Sequence, residues 1–153
     1  QALLDGKTVL QRTLDAVRAS GLPWHLEDAG HDGMGDSIAA AVRATADASG
    51  WLVLPGDLPL VRPETLQAVA AGLARHAVVV PQYRGQRGHP VGFSPECREA
   101  LSELSGEQGA SHVVRAQAAL KRMAAIEVDD PGIVADIDTV SDLAEARRHL
   151  ARD

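Results

Sequence analysis

Three short apolar runs, "WLVLP", "AVVVPQ" and "AAIEVD", are separated by stretches in which apolar residues recur at helical spacing. Runs of this kind are typical of strands that are covered on both faces of a sheet. Strands that alternate with helices predict a mostly parallel sheet with helices on both faces. The chain is therefore expected to be α/β, and its 153 residues are the size of a single domain.

Flanking residues refine the boundaries of the other elements. Gly21 follows "KTVLQRTLDAVRAS" as a helix stop, Asp36 is the expected N-cap of "SIAAAVRATADAS", and Pro63 suits the first position of "PETLQAVAAGLARH". Further helices are expected in "PECREALSEL", "ASHVVRAQAAL" and "SDLAEARRHL", and further short strands in "PWHLE" and "VGF".

Composition excludes several classes of protein. The chain has 15 Lys and Arg residues against 21 Asp and Glu residues, and the formal charge of -6 disfavours nonspecific binding to nucleic acid. The single cysteine, Cys97, allows no internal disulfide, and its place in a predicted helix favours a packing role. No apolar stretch approaches the roughly 18 residues of a membrane span, and no signal peptide is visible. We expect a cytoplasmic protein that binds neither nucleic acid nor membranes.

Ligands of open α/β sheets bind outside the carboxyl ends of the strands. Four loops are expected on that edge of the sheet: "DAGHDGMGDS", "PGDLPLV", "QYRGQRGHP" and "DDPGIVADIDT". The candidate functional residues are therefore sought in these loops.

The loop "LPGDLPLV" presents Asp57 between Pro55 and Pro59, directly after the first apolar run. Hard cations such as Mg²⁺ take carboxylate oxygens and usually keep waters and substrate phosphates as their other ligands. A single carboxylate held at a strand end is suited to that role. An Asp in a Pro-Gly turn fits the same local pattern.

The segment "ADIDT" supplies a second acidic strand end. Residues two apart in an extended segment point to the same side, so Asp136 and Asp138 are able to face one site. Two neighbouring carboxylates repel each other unless a cation or hydrogen-bond donors neutralise them. The alternative is that Asp138 or Thr139 caps the last helix.

The other two loops are suited to anions. Glycines 30, 33 and 35 precede a predicted helix, where exposed backbone amides are able to meet a nucleotide, although the spacing is not GxGxxG and no P-loop lysine follows. Arg84, Arg87 and His89 lie together in "YRGQRGHP", and Arg pairs well with phosphate or carboxylate. The alternative interpretation is that the glycine loop is an ordinary connection and the basic loop a solvated turn.

In this order, the motifs "GMGDSI", "GDLPLV.PETL", "RGHPVGF", "LSGEQGA" and "DIDTVSDL" resemble the MobA-like NTP transferases of the molybdenum cofactor cytidylyltransferase and guanylyltransferase type. The resemblance extends from Lys7 over most of the chain. It implies a Rossmann-like three-layer sandwich of the nucleotide-diphospho-sugar transferase type. It also implies that a molybdopterin-type phosphate attacks the α-phosphorus of an NTP and releases pyrophosphate.

The resemblance assigns roles to individual residues. Asp57 and Asp138 are expected to be the catalytic acids that hold Mg²⁺, and whether Asp136 or Asp138 lies closer to the metal stays open. The expected nucleotide and acceptor contacts are Gly33, Met34, Gly35, Ser37, Gly56, Arg87 and His89. "GDLPLV" and "RGHPV" are closer to the cytidylyltransferase branch, which favours CTP over GTP. A transient contact with a molybdoenzyme or its chaperone is also implied.

Two departures from the family pattern stand out. Members normally begin with a strand and a glycine-rich loop that contains Arg and a later Lys, whereas this chain begins at "QALLDGKTVLQ". We expect a first strand and phosphate loop upstream of Gln1. The passage from "PWHLE" to "GMGDSI" is also short, and it is expected to omit a helix and a strand.

Two other functions fit the same residues. One is a nucleotidyltransferase that acts on a sugar phosphate or another small phosphate, since a fold does not determine its substrate. The other is a non-catalytic nucleotide-binding homologue that assists molybdoenzyme maturation, which the missing Arg/Lys loop favours.

Overall fold

The fold is known from a computed structural model that describes residues 3–4, 7–27 and 33–135. The predicted acidic strand end with Asp136 and Asp138, the terminal helix "SDLAEARRHL" and Gly30 lie outside the described residues.

Strands and helices alternate along the described chain. The strands are β1 (Leu3–Leu4), β2 (Lys7–Thr8), β3 (Trp51–Val53), β4 (Val78–Tyr83), β5 (Gln86–Arg87), β6 (Val91–Phe93) and β7 (Met123–Glu127). The α-helices are α1 (Val9–Ala19), α2 (Met34–Ala44), α3 (Pro63–Gly72), α4 (Arg98–Ser102) and α5 (Ser111–Ala119). Single 3-10 turns cover Pro95–Cys97 and Pro131–Val134.

The main sheet has the spatial order β3, β6, β4, β7, and β5 forms a hairpin with the end of β4. β6 is antiparallel to both β3 and β4, while β7 is parallel to β4. β3, β4 and β7 therefore run in the same direction. β6 runs against them because the short connection from β4 allows a hairpin return but no crossover. The predicted α/β class is confirmed.

Side-chain alternation along β3 shows that both faces of the sheet are covered. Trp51 and Val53 belong to a core that includes residues of α2, α4 and α5, whereas Leu52 packs in a second core with Leu66 of α3 and Val17 of α1. Because successive side chains of a strand point to opposite faces, these two cores lie on opposite sides of the sheet. The described part of the chain is a three-layer sandwich.

Four local predictions need correction or refinement. The predicted strand "PWHLE" is not a strand, because residues 22–27 have no regular structure and Trp24 and Leu26 are exposed by 47% and 37%. Asp36 is not the N-cap of α2: that position is Gly33, and Asp36 lies in the first turn. The predicted helix "PECREALSEL" divides into the 3-10 turn and α4, and the loop "YRGQRGHP" contains β5.

Cys97 has the packing role that was predicted for it. Its side chain is 1% exposed and lies in the core on the α2 side of the sheet. Burial, followed by the negative charge of Glu96, raises the pKa of the Cys97 thiol. A neutral, buried thiol is a poor nucleophile.

None of the helices in the described ranges is both long and apolar enough to cross a lipid bilayer.

Candidate functional site

Three connecting segments leave the same edge of the sheet. β3, β4 and β7 run in one direction, so their carboxyl ends at Val53, Tyr83 and Glu127 share an edge. They lead into residues 54–62, which we call the Asp57 loop, residues 84–90, the basic turn, and residues 128–135, the DDPG segment. This is the edge where α/β folds bind their ligands.

The Asp57 loop is firmly packed although it has no regular structure. Leu58 is fully buried, Pro59 is buried, and Val61 is 3% exposed, whereas Asp57 itself is partly exposed. The apolar neighbours of Asp57 hold the backbone in the core while its carboxylate lies at the carboxyl edge of the sheet. The prolines thus flank a segment whose position is set by burial.

Helix α1 holds the start of this loop. The Thr13 hydroxyl donates to the carbonyl oxygen of Gly56 at 2.8 Å and also to that of Val9 at 3.1 Å. Thr13 is only 2% exposed, and a Cβ atom on Gly56 would lie 2.9 Å from Leu10 Cδ1. The residue before Asp57 is therefore fixed on α1, and a Cβ atom there would require Leu10 to shift.

The end of the Asp57 loop is held by Asp130, a residue that is 2% exposed. Its Oδ2 atom accepts from the Arg62 backbone N–H at 2.9 Å and from the Thr65 hydroxyl at 2.6 Å. Its Oδ1 atom accepts from the Gly132 backbone N–H at 3.0 Å. We call Arg62, Thr65, Asp130 and Gly132 the Asp130 cluster.

Close backbone contacts join the DDPG segment to both of its neighbours. A Cβ atom on Gly132 would overlap the carbonyl oxygen of Leu60, and a Cβ atom on Gly88 would overlap that of Ile133. The His89 N–H donates to the Ile133 carbonyl oxygen at 3.0 Å. The DDPG segment therefore lies between the Asp57 loop and the basic turn, and the structure brings together three of the four predicted loops.

The fourth loop, which ends in the glycine segment of residues 33–37, contacts a different part of the chain. The Gly35 N–H donates to the Gly106 carbonyl oxygen at 2.8 Å, and Asp36 Oδ2 accepts from the Gly106 N–H at 3.3 Å. A Cβ atom on Gly33 would overlap the same Gly106 carbonyl. Met34 is 49% exposed and Ser37 is partly buried.

The stretch around Gly106, which contacts the glycine segment, lies toward the carboxyl edge of the sheet. α5 begins at Ser111, packs on β7 and is joined to it by a short turn, so its first residues point toward the carboxyl ends of the strands. The segment before α5 borders a surface pocket of about 540 Å³. Its lining is Glu103, Leu104, Ser105, Gly106, Glu107, Gln108, Gly109 and His112. The "LSGEQGA" motif is thus the packing partner of "GMGDSI".

The basic turn exposes its two arginines. Arg84 and Arg87 are both exposed, and the Arg84 guanidinium lies over the Tyr83 ring at 5.1 Å from the ring centroid. His89, in contrast, is partly buried. The positive charges therefore lie at the tip of a hairpin, and His89 lies where the hairpin meets the DDPG segment.

A divalent cation is chemically compatible with Asp57. Across the described ranges, no group of three or more His, Cys, Asp or Glu residues is arranged to hold a metal ion. A hard cation needs only one or two carboxylates when substrate phosphates and waters complete its shell. Asp57, as a partly exposed carboxylate on a fixed loop, fits that requirement.

The comparisons with known proteins agree with this geometry. The sequence matches the family described as "MobA-like NTP transferase domain" over residues 8–124. The chain belongs to this family. It is accordingly a nucleotidyltransferase that uses an NTP, and the resemblance drawn from the motifs is confirmed.

The MobA-like chain is also similar to individual proteins. The Purine catabolism protein PucB of Bacillus subtilis is 29% identical over 97% of this chain and 78% of its own length. Rv0371c of Mycobacterium tuberculosis is 24% identical with a TM-score of 0.72, over 95% of this chain and 86% of that one. A second structure of Rv0371c is a complex with manganese, with a TM-score of 0.70, 24% identity and coverage of 94% and 87%.

A more distant structure has the same fold. The molybdopterin-guanine dinucleotide biosynthesis protein A of Archaeoglobus fulgidus is 16% identical with a TM-score of 0.59, over 99% of this chain and 90% of that one. At these identities the solved structures establish the nucleotidyltransferase fold of the MobA-like chain.

Sequence reasoning missed the residues that hold the loops together. Thr13, Thr65 and Asp130 are ordinary helix or turn residues in the sequence. The only signal was "DDPG", since an Asp before Pro-Gly is typical of an N-cap, and Asp130 does cap the 3-10 turn through Gly132. Its bonds to Arg62 and Thr65 span 68 and 65 residues and leave no local pattern.

Proposed function

We propose that this MobA-like nucleotidyltransferase uses Mg²⁺ or a similar divalent cation to transfer CMP, or GMP, from an NTP to a molybdopterin-type phosphate. The observation that carries the proposal is the joining of the Asp57 loop to the DDPG segment, which leads directly into Asp136 and Asp138 in the sequence. The manganese complex of Rv0371c supports a divalent metal. The motifs "GDLPLV" and "RGHPV" support CTP as the preferred NTP.

The proposed reaction exchanges one phosphoanhydride bond for another. A phosphate oxygen of the acceptor attacks the α-phosphorus of the NTP and forms a new P–O bond. The bond from the α-phosphorus to the oxygen bridging toward the β-phosphorus breaks, and pyrophosphate leaves with that electron pair. Such a transfer depends on positioning and on neutralising charge, and it needs no protein nucleophile.

In this mechanism, Asp57 and Asp138 hold the metal. When bound, the cation neutralises charge on the α-phosphate and on the leaving pyrophosphate. Thr13 and Asp130 keep the Asp57 backbone in place on either side, so that the carboxylate needs little reorganisation before it binds. Preorganisation of this kind is a main source of rate enhancement in transfers to phosphorus.

The glycine segment and the basic turn serve the two substrates. Backbone N–H groups at Gly33 and Met34 begin α2, where a helix N-terminus favours negative charge, and the Ser37 hydroxyl is one turn further. Gly35 lies between Met34 and Ser37 and donates its own N–H to Gly106. On the acceptor side, exposed Arg87 offers a bidentate donor to phosphate. His89 and Gly56 complete the proposed set of contacts.

A turnover assay tests this proposal. The full-length protein is incubated with Mg²⁺, each of the four NTPs and either molybdopterin or a sugar 1-phosphate, and pyrophosphate release is measured. We expect release with molybdopterin and CTP, and weaker release with GTP. Release only with the sugar phosphate would assign a different acceptor. Nucleotide binding without turnover on any acceptor would contradict the proposal and favour a non-catalytic homologue.

A further inference from the structure

A small surface pocket of about 240 Å³ lies at the amino edge of the sheet, where β4 and β7 begin. It is bordered by the turns that precede these two strands and by the 3-10 turn at Pro95–Cys97. We infer that this pocket is a second ligand site of the protein, which binds a phosphate group through Arg75, Lys121 and Arg122.

The pocket is positively charged although the protein as a whole is acidic. Its described lining includes three permanent cations, Arg75, Lys121 and Arg122, and one carboxylate, Glu96. With His76 neutral, these residues give the lining a net charge of +2, whereas the formal charge of the whole chain is -6. Cations gathered around one small cavity repel each other, and an anion bound between them offsets that repulsion.

Arg122 is held in place by both its side chain and its backbone. Its Nη2 atom lies 2.5 Å from Glu96 Oε2, and Glu96 Oε1 accepts from the Ser94 hydroxyl at 3.1 Å. Its carbonyl oxygen accepts from the Ala77 N–H at 2.9 Å. A guanidinium has five N–H donors, so Arg122 keeps donors for a ligand while Glu96 orients it.

The other two cations have no partner of their own. Arg75 and Lys121 are exposed, and within the described ranges neither side chain forms a hydrogen bond or an ion pair. Two unpaired cations beside one oriented guanidinium are suited to bind an anion from solution.

The backbone at Lys121 points to a role for its side chain. α5 ends in a Schellman motif, in which the Lys121 N–H donates to the Ala118 carbonyl oxygen at 3.0 Å and the Arg122 N–H to that of Gln117 at 2.9 Å. Lys121 has a φ of +59° at the position where such motifs favour glycine. A lysine there is strained, and strained residues often serve a function. The alternative is that Lys121 only stabilises the helix dipole.

Phosphate fits this lining better than a carboxylate does. The oxygens of a tetrahedral phosphate point in several directions and are able to accept from all three cations, whereas a carboxylate has two oxygens in one plane. The pocket volume is several times the roughly 30 Å³ that a water molecule occupies, which leaves room for a small group esterified to the phosphate.

This pocket is separate from the proposed active site. The six residues of β4 place about 20 Å between the amino edge and the carboxyl edge of the sheet. The inference therefore does not depend on the proposed reaction.

NMR titration of the ¹⁵N-labelled full-length protein tests the inference. Inorganic phosphate and ribose 5-phosphate are added in separate experiments at constant ionic strength. The amide signals of residues 74–77 and 120–122 should shift together and saturate in the millimolar range, and signals from the carboxyl edge report binding at the proposed active site separately. A lower dissociation constant for ribose 5-phosphate would identify a phosphate ester as the ligand, and equal constants would identify the phosphate ion.

Lys121→Gly is the most informative variant, because glycine is favoured at this φ and the variant is expected to fold. Its dissociation constant for phosphate should rise about fivefold, and its melting temperature should be no lower than that of the wild type. Arg75→Gln should have a similar effect on binding, and the double variant should show a rise of about twentyfold. Lys121→Arg should keep the affinity. Arg115→Gln, which removes an exposed charge from α5, is the matched control and should change the constant less than about twofold.

Three results would overturn the inference. The first is the absence of a saturable shift at residues 74–77 and 120–122 in the wild type, and the second is an unchanged dissociation constant in both Lys121→Gly and Arg75→Gln. Either would show that these cations only stabilise the ends of α3 and α5. The third is an equal rise in Arg115→Gln, which would show general attraction of anions without a site.

Discussion

The Asp57 loop and the glycine segment are held in different ways. The Asp57 loop is fixed at both ends by buried side-chain hydrogen bonds, from Thr13 to Gly56 and from Arg62 to Asp130. The glycine segment is fixed mainly by backbone contacts with Gly106, a residue on an exposed stretch.

This difference suits what each region is proposed to bind. A metal ligand has to hold one carboxylate at a defined position, and buried side-chain bonds supply that constraint. A phosphate is bound by several backbone N–H groups, which requires close approach and small residues instead. We therefore expect substitutions in the first region to abolish turnover or stability, and those in the second to weaken nucleotide binding.

The largest effect is expected for Asp57→Asn, which keeps the loop but removes its charge. Turnover should fall about 1,000-fold, equivalent to about 4 kcal/mol, because a neutral amide is a poor ligand for a hard cation. The melting temperature should change little, since Asp57 is partly exposed. Pyrophosphate release measures the effect. Asp47→Asn, in an exposed turn, is the control, and equal turnover in the two variants would remove Asp57 from the mechanism.

The next largest effect is expected for Gly132→Ala, a variant that tests how firmly the Asp57 loop is joined to the DDPG segment. Gly132→Ala should lower the free energy of unfolding by about 3 kcal/mol, because the new Cβ atom would overlap the backbone of Leu60, which cannot move as easily as the end of a side chain. Urea denaturation measures this loss.

Gly21→Ala is the control for Gly132→Ala. Gly21 has open space around it but a φ of +75°, so the loss there should be about 1–2 kcal/mol from backbone strain alone. A smaller loss at Gly132 than at Gly21 would show that the two segments are not tightly packed.

A smaller effect is expected in the glycine segment. A Cβ atom in Gly33→Ala would overlap the Gly106 carbonyl, but Ser105, Gly106 and Glu107 are exposed and able to shift. We expect a loss of about 1 kcal/mol in stability and a rise of about tenfold in KM for the NTP, with a smaller change in kcat. Gly85→Ala, with φ +82° and open space, should cost similar stability without changing this KM. Equal KM values for the NTP in Gly33→Ala and Gly85→Ala would argue against a nucleotide contact at Gly33.

The smallest effect is expected at Cys97, which lies in the core outside both regions. Cys97→Ala should leave turnover within about twofold of the wild type and reduce stability by about 1 kcal/mol. In the native protein at neutral pH, iodoacetamide should react slowly with this buried, protonated thiol. Rapid alkylation, followed by mass spectrometry, would contradict the packing role.

The raised pKa of Cys97 also predicts a dependence of stability on pH. Because the folded pKa lies above the ordinary value of 9.0, the folded state keeps its proton where the unfolded state loses it. The stability from this group is thus complete below about pH 9 and declines as the pH rises through the folded pKa. Cys97→Ala should show a weaker alkaline decline in urea denaturation than the wild type.

Local patterns were enough to predict much of the fold. The continuous apolar runs of β3, β4 and β7 and the Pro63 start of α3 were recognised because each is encoded within a few residues. "PWHLE" was misassigned because its apolar residues satisfy strand propensity, and only the tertiary structure shows that Trp24 and Leu26 remain exposed.

The candidate site was predictable in part for the same reason. Asp57 and the glycine segment carry local signals: a proline-flanked acid after a strand, and glycines before a helix. The expectation that loops of one sheet edge lie together follows from strand direction, and it correctly joined the Asp57 loop, the basic turn and the DDPG segment. The packing of Gly33 and Gly35 on Gly106 was not foreseen, because no residue pattern links the two stretches.

The sequence by itself determined the motifs of the MobA-like family and most of the stretches that become strands and helices. Hydrophobic periodicity and backbone preferences act over a few residues, so they can be recognised from the sequence alone. Only the tertiary structure decided how the Asp57 loop is held, since hydrogen bonds across 43 to 68 residues join Thr13 to Gly56 and Asp130 to Arg62 and Thr65. Such bonds form because buried polar groups need partners, and the fold alone determines which partners lie within reach.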